Sequence, residues 1–181
     1  MRGLSIAATR IIKALLSIVH RGGSLPGQIG LKLDGNVLSK LKFDGVIVMV
    51  TGTNGKTSTS NLIADLFERS GRRVISNRRG DNMRAGIATT ILTHTTLGGR
   101  VKADTMVLEV DELNVRHLLP QLKVNAFVVT NFFRDQLDRA REMEQLIETI
   151  ENVLPDYEGT LILNANDPNV VRLADHAPKA N

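Results

Sequence analysis

The sequence predicts an α/β domain, a mostly parallel sheet with helices on both faces, preceded by a short helical N-terminal segment. Three observations carry this. From Gly45 onward, short apolar runs alternate with segments of helical period, the pattern of successive βαβ units. The runs are continuous rather than alternating, as strands buried on both faces require. The segments rich in Gly, Asn and acidic residues fall just after those runs, at the strand ends where parallel sheets hold ligands.

Taken in order, Leu4 to Val19 has the spacing of an amphipathic helix. Leu4, Ala7, Ala8, Ile11, Leu15, Ile18 and Val19 share one face, and Arg2, Thr9, Arg10, Lys13, Ser17 and His20 share the other. The apolar face suits packing within the protein or a partner, or contact with an anionic membrane surface. Gly22 to Gly27 is a breaker cluster that reads as a linker, and Gly30 to Leu41 as a short helix or irregular segment. Residues 1–44 thus form an N-terminal helix and linker, and 45–181 the main domain. Strands are expected at Val46–Val50, Arg73–Ser76, Thr105–Val110, Val124–Thr130 and Thr160–Leu163. Helices are expected at Thr57–Ser70, with Leu62, Ile63, Leu66 and Phe67 inward and Gly71 as the stop, at Asn82–Thr93 and at Ala140–Leu154.

Composition narrows the function classes. Hydrophobic residues make up 42% of 181, enough for a packed core, and aromatics only 3%, so that core is aliphatic. Cysteine is absent, which excludes disulfides and cysteine-ligated metal in this chain and fits a reducing, cytoplasmic setting. The net charge of +4 favours anionic ligands, but no basic stripe with interleaved aromatics points to nucleic acid. No apolar run approaches the roughly 20 residues that span a membrane.

The strongest motif is Thr51-Gly52-Thr53-Asn54-Gly55-Lys56-Thr57-Ser58 between a strand and a helix. Polyphosphate needs several backbone N–H groups converging at a helix N-terminus. Gly52 and Gly55 let the backbone curl, Lys56 supplies charge for the β- and γ-phosphates, and the Thr57 hydroxyl can bind Mg²⁺. The loop is shorter than G-x-x-x-x-G-K-[ST], with Val50 where that pattern needs glycine. Glu109, at the end of the third strand, is placed to reach a metal held by Thr57. Strand alternation sets Glu109 and Asp111 on one side and Glu112 on the other, and Asp111 and Glu112 also read as helix-start charges. Asn82 suits either a phosphate or metal shell or a helix cap. Arg78, Arg79 and Arg84 suit either an anionic substrate or a solvated face.

The 51–58 loop resembles the ATP loop of the Mur ligase superfamily, which forms amide bonds through acyl phosphates. Asp81-Asn82-Met83 with Ala85-Gly86, Glu109 to Glu112, and Thr130-Asn131-Phe132-Phe133-Arg134-Asp135-Gln136 are together most similar to the MurT family, the ligase-like subunits of lipid II isoglutaminyl synthase. Leu25-Pro26-Gly27-Gln28-Ile29 fits the same family, and the resemblance covers roughly residues 10 to 175.

The resemblance implies a P-loop NTPase-like central domain that binds ATP and Mg²⁺ through Gly52, Thr53, Asn54, Gly55, Lys56, Thr57, Ser58 and Asn82, with Lys56 and Glu109 catalytic. It implies activation of the D-glutamate α-carboxylate of the lipid II stem peptide, ammonia from a GatD-type glutaminase partner, and work in the cytoplasm at the inner face of the membrane. Many Mur ligases hold a second metal through a histidine where Gln136 stands; glutamine offers a weaker carbonyl ligand. A C-terminal domain and a cysteine-rich insertion are expected beyond Asn181, so the chain reads as a truncated product unable to complete ligation alone. Another superfamily ligase, of the folylpolyglutamate synthase type, and a non-catalytic nucleotide-binding module are the competing readings.

Overall fold

The computed structural model describes residues 1–18, 23–78, 81–133 and 140–181. Five strands form one parallel sheet in the order β2-β3-β1-β4-β5. They are β1 (Val46–Thr51), β2 (Val74–Ser76), β3 (Thr105–Glu109), β4 (Ala126–Val129) and β5 (Thr160–Leu163). The central strand pairs Val50 with Glu109 of β3 on one side and Thr51 with Val129 of β4 on the other. The ends of three strands therefore come level at one edge.

Alternation along the buried strands divides the core in two. Val48, Val50 and Val107 face helix α3 (Lys56–Arg69), which fills that side with Ala64 and the partly buried Ile63 and Phe67. Ile47, Met49, Met106, Leu108, Phe127 and Val129 face the larger cluster on the opposite side. That cluster takes in α4 (Arg84–Thr93), α5 (Glu112–Leu118), α6 (Ala140–Glu151) and the short α7 (Pro168–Val171). Helices thus cover both faces, as the sequence predicts. The helix from Glu112 is additional to the sequence reading, which gave its two leading acids only as possible helix-start charges.

The N-terminal segment folds onto the same core. Helix α1 (Arg2–Ile18) is followed by α2 (Leu25–Leu33), and Ile6, Val37 and Leu38 are buried in the larger cluster. Leu25, Pro26 and Gly27, read as part of a linker, form the first turn of α2. Proline within a helix's first turn lacks only an N–H that would have no partner there.

Two helices turn a different face inward than their apolar spacing suggests. In α1, Ser5, Ile6 and Thr9 are fully buried, while Leu4, Ile11 and Leu15 are about three-fifths exposed. In α3, Ser60 and Ala64 are buried, while Leu62 and Leu66 point to solvent. For α1 the cause is close approach. A Cβ on Gly30 of α2 would press into the Thr9 hydroxyl and Leu92, and one on Gly27 would collide with the Thr89 backbone of α4. The Gly27 N–H donates to Thr89 Oγ1 at 2.8 Å. Small side chains let helix backbones approach this closely, and the buried hydroxyls donate back one turn, Thr9 to Ser5 O at 2.8 Å and Thr89 to Ala85 O at 3.0 Å.

Candidate functional site

The phosphate loop leaves β1 at Thr51 and enters α3 at Lys56. Its two glycines are required for different reasons. Gly52 has φ +121° and lies against the Thr130 hydroxyl and the Asn131 backbone, so it has neither the conformation nor the space for a side chain. Gly55, at φ +81°, faces open space and is needed for conformation alone. Val50, standing where the longer loop carries glycine, is a fully buried strand residue.

Asn131, just past β4, fastens this loop. Its backbone oxygen accepts from Thr53 N–H at 2.7 Å and its side-chain oxygen from Asn54 N–H at 3.0 Å. Its amide nitrogen and the Thr130 hydroxyl both donate to Asn54 O, at 3.0 and 2.7 Å. With Thr53 and Asn54 thus engaged, the N–H groups of the first turn of α3 are left to face a ligand, since they have no carbonyl one turn back. Thr57 and Ser58 in that turn are exposed.

Lys56 curls back over the loop. Its ammonium donates to Gly52 O, to Thr53 O at 3.2 Å and to Glu112 Oε1 at 3.2 Å. Both side chains are largely buried, at 14% and 10% exposure. Glu112 is thus the acid that faces the loop lysine, a pairing between two strand ends that no local spacing announces.

Glu109 is only 4% exposed and receives Asn82 Nδ2 at 3.2 Å. Among the described residues no basic side chain pairs with it. Its backbone is held on both sides by Asn77, which accepts from Glu109 N–H at 2.9 Å and donates to Glu109 O at 2.8 Å. Asn82 does not cap α4: the cap position is Met83, and Asn114 accepts from Arg84 N–H instead. Strand alternation stops at Glu109. Asp111 caps α5 by accepting from Leu113 N–H at 3.1 Å, and Glu112 opens that helix.

The arginines divide. Arg78 pairs with Asp65 and Glu68 of α3, and Arg84 donates to Gly35 O at 2.6 Å. Both belong to structural contacts. His117 is held below the usual histidine range by burial first, then by Arg116 and Arg84. Arg79 and Gln136 lie outside the described residues.

A cleft of about 610 Å³ adjoins the loop, lined by Asn54, Phe132, Phe133, Asn164 and Asp167 among others. Asp167 shapes it, accepting from Phe132 N–H at 2.8 Å and from Asn169 N–H at 2.9 Å, while Asn164 Nδ2 reaches Thr130 O at 2.9 Å. The Asn164-to-Pro168 turn leads into α7 with Asp167 as its cap, and it also walls the site. The signal was the position of that turn directly after the last strand.

The matching family model is the Mur ligase middle domain, over residues 50–181. The chain belongs to the Mur ligase family. It is similar to the MurT subunits of lipid II isoglutaminyl synthase (glutamine-hydrolyzing) from Staphylococcus aureus strain N315, at 40% identity over 89% of this chain and 36% of the relative, and from Streptococcus pneumoniae, at 36% identity over 91% and 37%. This Mur ligase chain therefore spans little more than a third of the length of those relatives. Among solved structures, MurF from Acinetobacter baumannii shares the fold with a TM-score of 0.67 at 14% identity, covering 87% of this chain and 34% of that one. MurF from Thermotoga maritima, solved in complex with ADP, gives a TM-score of 0.56 at 19% identity over 83% and 35%.

Proposed function

We propose that this domain binds ATP with Mg²⁺ and belongs to an ATP-dependent amide ligase of peptidoglycan synthesis that works at the cytoplasmic face of the membrane. It activates the D-glutamate α-carboxylate of the lipid II stem peptide, for amidation with ammonia from a GatD-type glutaminase. The observation that carries this is the loop clamped by Asn131, with the buried carboxylate Glu109 and the lysine Lys56 at the same edge of the sheet. The similarity to MurT subunits supports this choice of substrate and partner.

In this reading the first turn of α3 receives the phosphates through its N–H groups and N-terminal dipole. Lys56 leaves Glu112 and the loop carbonyls for the terminal phosphates, which carry several negative charges against the single charge of Glu112. The cleft beside Phe132, Asn164 and Asp167 takes the nucleoside. Glu109 and the Thr57 hydroxyl are hard oxygen donors that would hold Mg²⁺. The metal would supply charge neutralisation on the transferred phosphoryl group. A substrate carboxylate oxygen attacks the γ-phosphorus, ADP leaves, and ammonia then attacks the acyl carbon and expels phosphate. Asn82 keeps Glu109 oriented by donating to it.

The test uses the full-length protein with its glutaminase partner, ATP, Mg²⁺, glutamine and lipid II whose stem-peptide carboxylate carries heavy oxygen. Amidation with one heavy oxygen transferred into inorganic phosphate is expected. Amidation without that transfer excludes the acyl phosphate, and nucleotide binding with no amidation reduces the domain to a binding module.

A further inference from the structure

Helix α1 presents its aliphatic face to solvent. Leu4, Ile11 and Leu15 fall on one stripe of the helix and are 58%, 60% and 60% exposed. Leu97, itself 58% exposed, lies beside the first turn, its carbonyl 3.5 Å from the position a Cβ on Gly3 would take. The opposite face is fixed inward by Ser5, Ile6 and Thr9 and cannot exchange with it, because Gly30 lies against Thr9 and Ser5 and leaves no room for larger side chains. A contiguous exposed apolar stripe of this kind marks a contact surface.

Charge identifies what the stripe contacts. The first 33 residues hold Arg2, Arg10, Lys13, Arg21 and Lys32 and no acidic residue. Of the 23 basic and 19 acidic side chains in the chain, the remainder thus keeps 18 and all 19. The net positive charge of the chain is carried by its first 33 residues. Arg10 is exposed at the margin of the stripe, and Arg2 is anchored to Lys40 O at 2.9 Å and Gly98 O at 3.0 Å. A second copy seated on this face sets cation against cation. An anionic surface with an apolar interior satisfies both the leucines and the charge.

We propose that α1 lies on an anionic bilayer surface, with Leu4, Ile11 and Leu15 in the interfacial layer and Arg10 among the headgroups. No helix among the described residues is long and apolar enough to cross a membrane, so the contact is peripheral. An in-plane helix of this type gains from buried apolar area and from attraction to acidic lipid together. The proposal stands on α1 alone and not on the ligase reading, although a domain so placed is held beside a lipid-linked substrate.

The experiment is flotation of the full-length protein with vesicles of phosphatidylcholine, with and without phosphatidylglycerol. Binding that requires phosphatidylglycerol and falls as salt rises is expected. The double variant Ile11→Glu/Leu15→Glu should reduce the bound fraction about tenfold or more, since it removes two aliphatic anchors. Its nucleotide binding should be unchanged, which separates this outcome from misfolding and from failure of the ligase reading. Equal flotation of wild type and variant, or no flotation with acidic lipid, overturns the proposal. Concentration-dependent dimerisation that the variant loses, without vesicle binding, also overturns it and assigns the stripe to a second copy.

Discussion

Helices α1 and α3 make the same demand on a sequence reader and answer it for different reasons. Both carry leucines at helical spacing, and both turn those leucines out. In α3 the exposed pair Leu62 and Leu66 sits among Asp65, Glu68 and Arg69, with Asp65 and Glu68 tied to Arg78. That is an ordinary charged surface with single apolar residues on it. In α1 the stripe has no acidic neighbour on its own helix and belongs to the segment that holds the protein's net charge. The role proposed for α3 is at its N-terminus, in backbone N–H groups and Lys56; that proposed for α1 is along its side.

The comparison breaks first at Gly27, the glycine that seats α2 against α4, with α1 packed on α2 in turn. Gly27→Val should cost about 3 kcal/mol in denaturant unfolding, because the new side chain meets backbone that cannot move aside. It should abolish vesicle flotation as well, since α1 loses its seat. Unchanged stability would mean that the α1–α2–α4 packing is loose enough to let the stripe turn inward. Next, Lys56→Ala should weaken nucleotide binding about a hundredfold, roughly 2.7 kcal/mol by calorimetry, and leave flotation intact. Asn131→Ala should have a smaller effect of the same kind, about tenfold, through loss of the loop clamp; loss of flotation in either variant would join the two helices into one function.

Leu62→Ser/Leu66→Ser should change unfolding free energy by no more than about 0.5 kcal/mol per site, with flotation unchanged. A large loss of flotation would make α3 part of the membrane face. The smallest effect is at acidic pH, at the start of β3. Hydrogen bonds from the Arg73 side chain, then from its backbone, lower the Asp104 carboxyl from 3.8 to about 2. A depressed carboxyl stabilises above its unfolded value and loses that contribution as pH falls toward the folded one. Asp104→Asn should therefore flatten the fall in thermal midpoint between about pH 4 and pH 2. An unchanged acid limb would show that the exposed pair contributes nothing.

The strands and the phosphate loop were legible because their signals are local. Continuous apolar runs, glycine at two positions and Lys-Thr at a helix start need only neighbours in the chain. Glu109 was legible as an acid closing a buried strand. The Lys56–Glu112 pair, the Asn131 clamp and the cleft wall at Asn164 and Asp167 were not, because each joins segments dozens of residues apart through the parallel register. Arg78 and Arg84 were open between an anionic substrate and a solvated face, and the fold gave both partners, on α3 and beside α2.

The sequence by itself determined that this is a parallel α/β domain, where its phosphate loop lies and which acid ends the third strand, since backbone periodicity and turn chemistry act over a few residues. Tertiary structure alone decided which side of each amphipathic helix is inside. Burial follows the space available rather than hydrophobicity in isolation, and where α1 meets Gly30 there was room for Ser5 and Thr9, so the leucines of α1 were left on the surface.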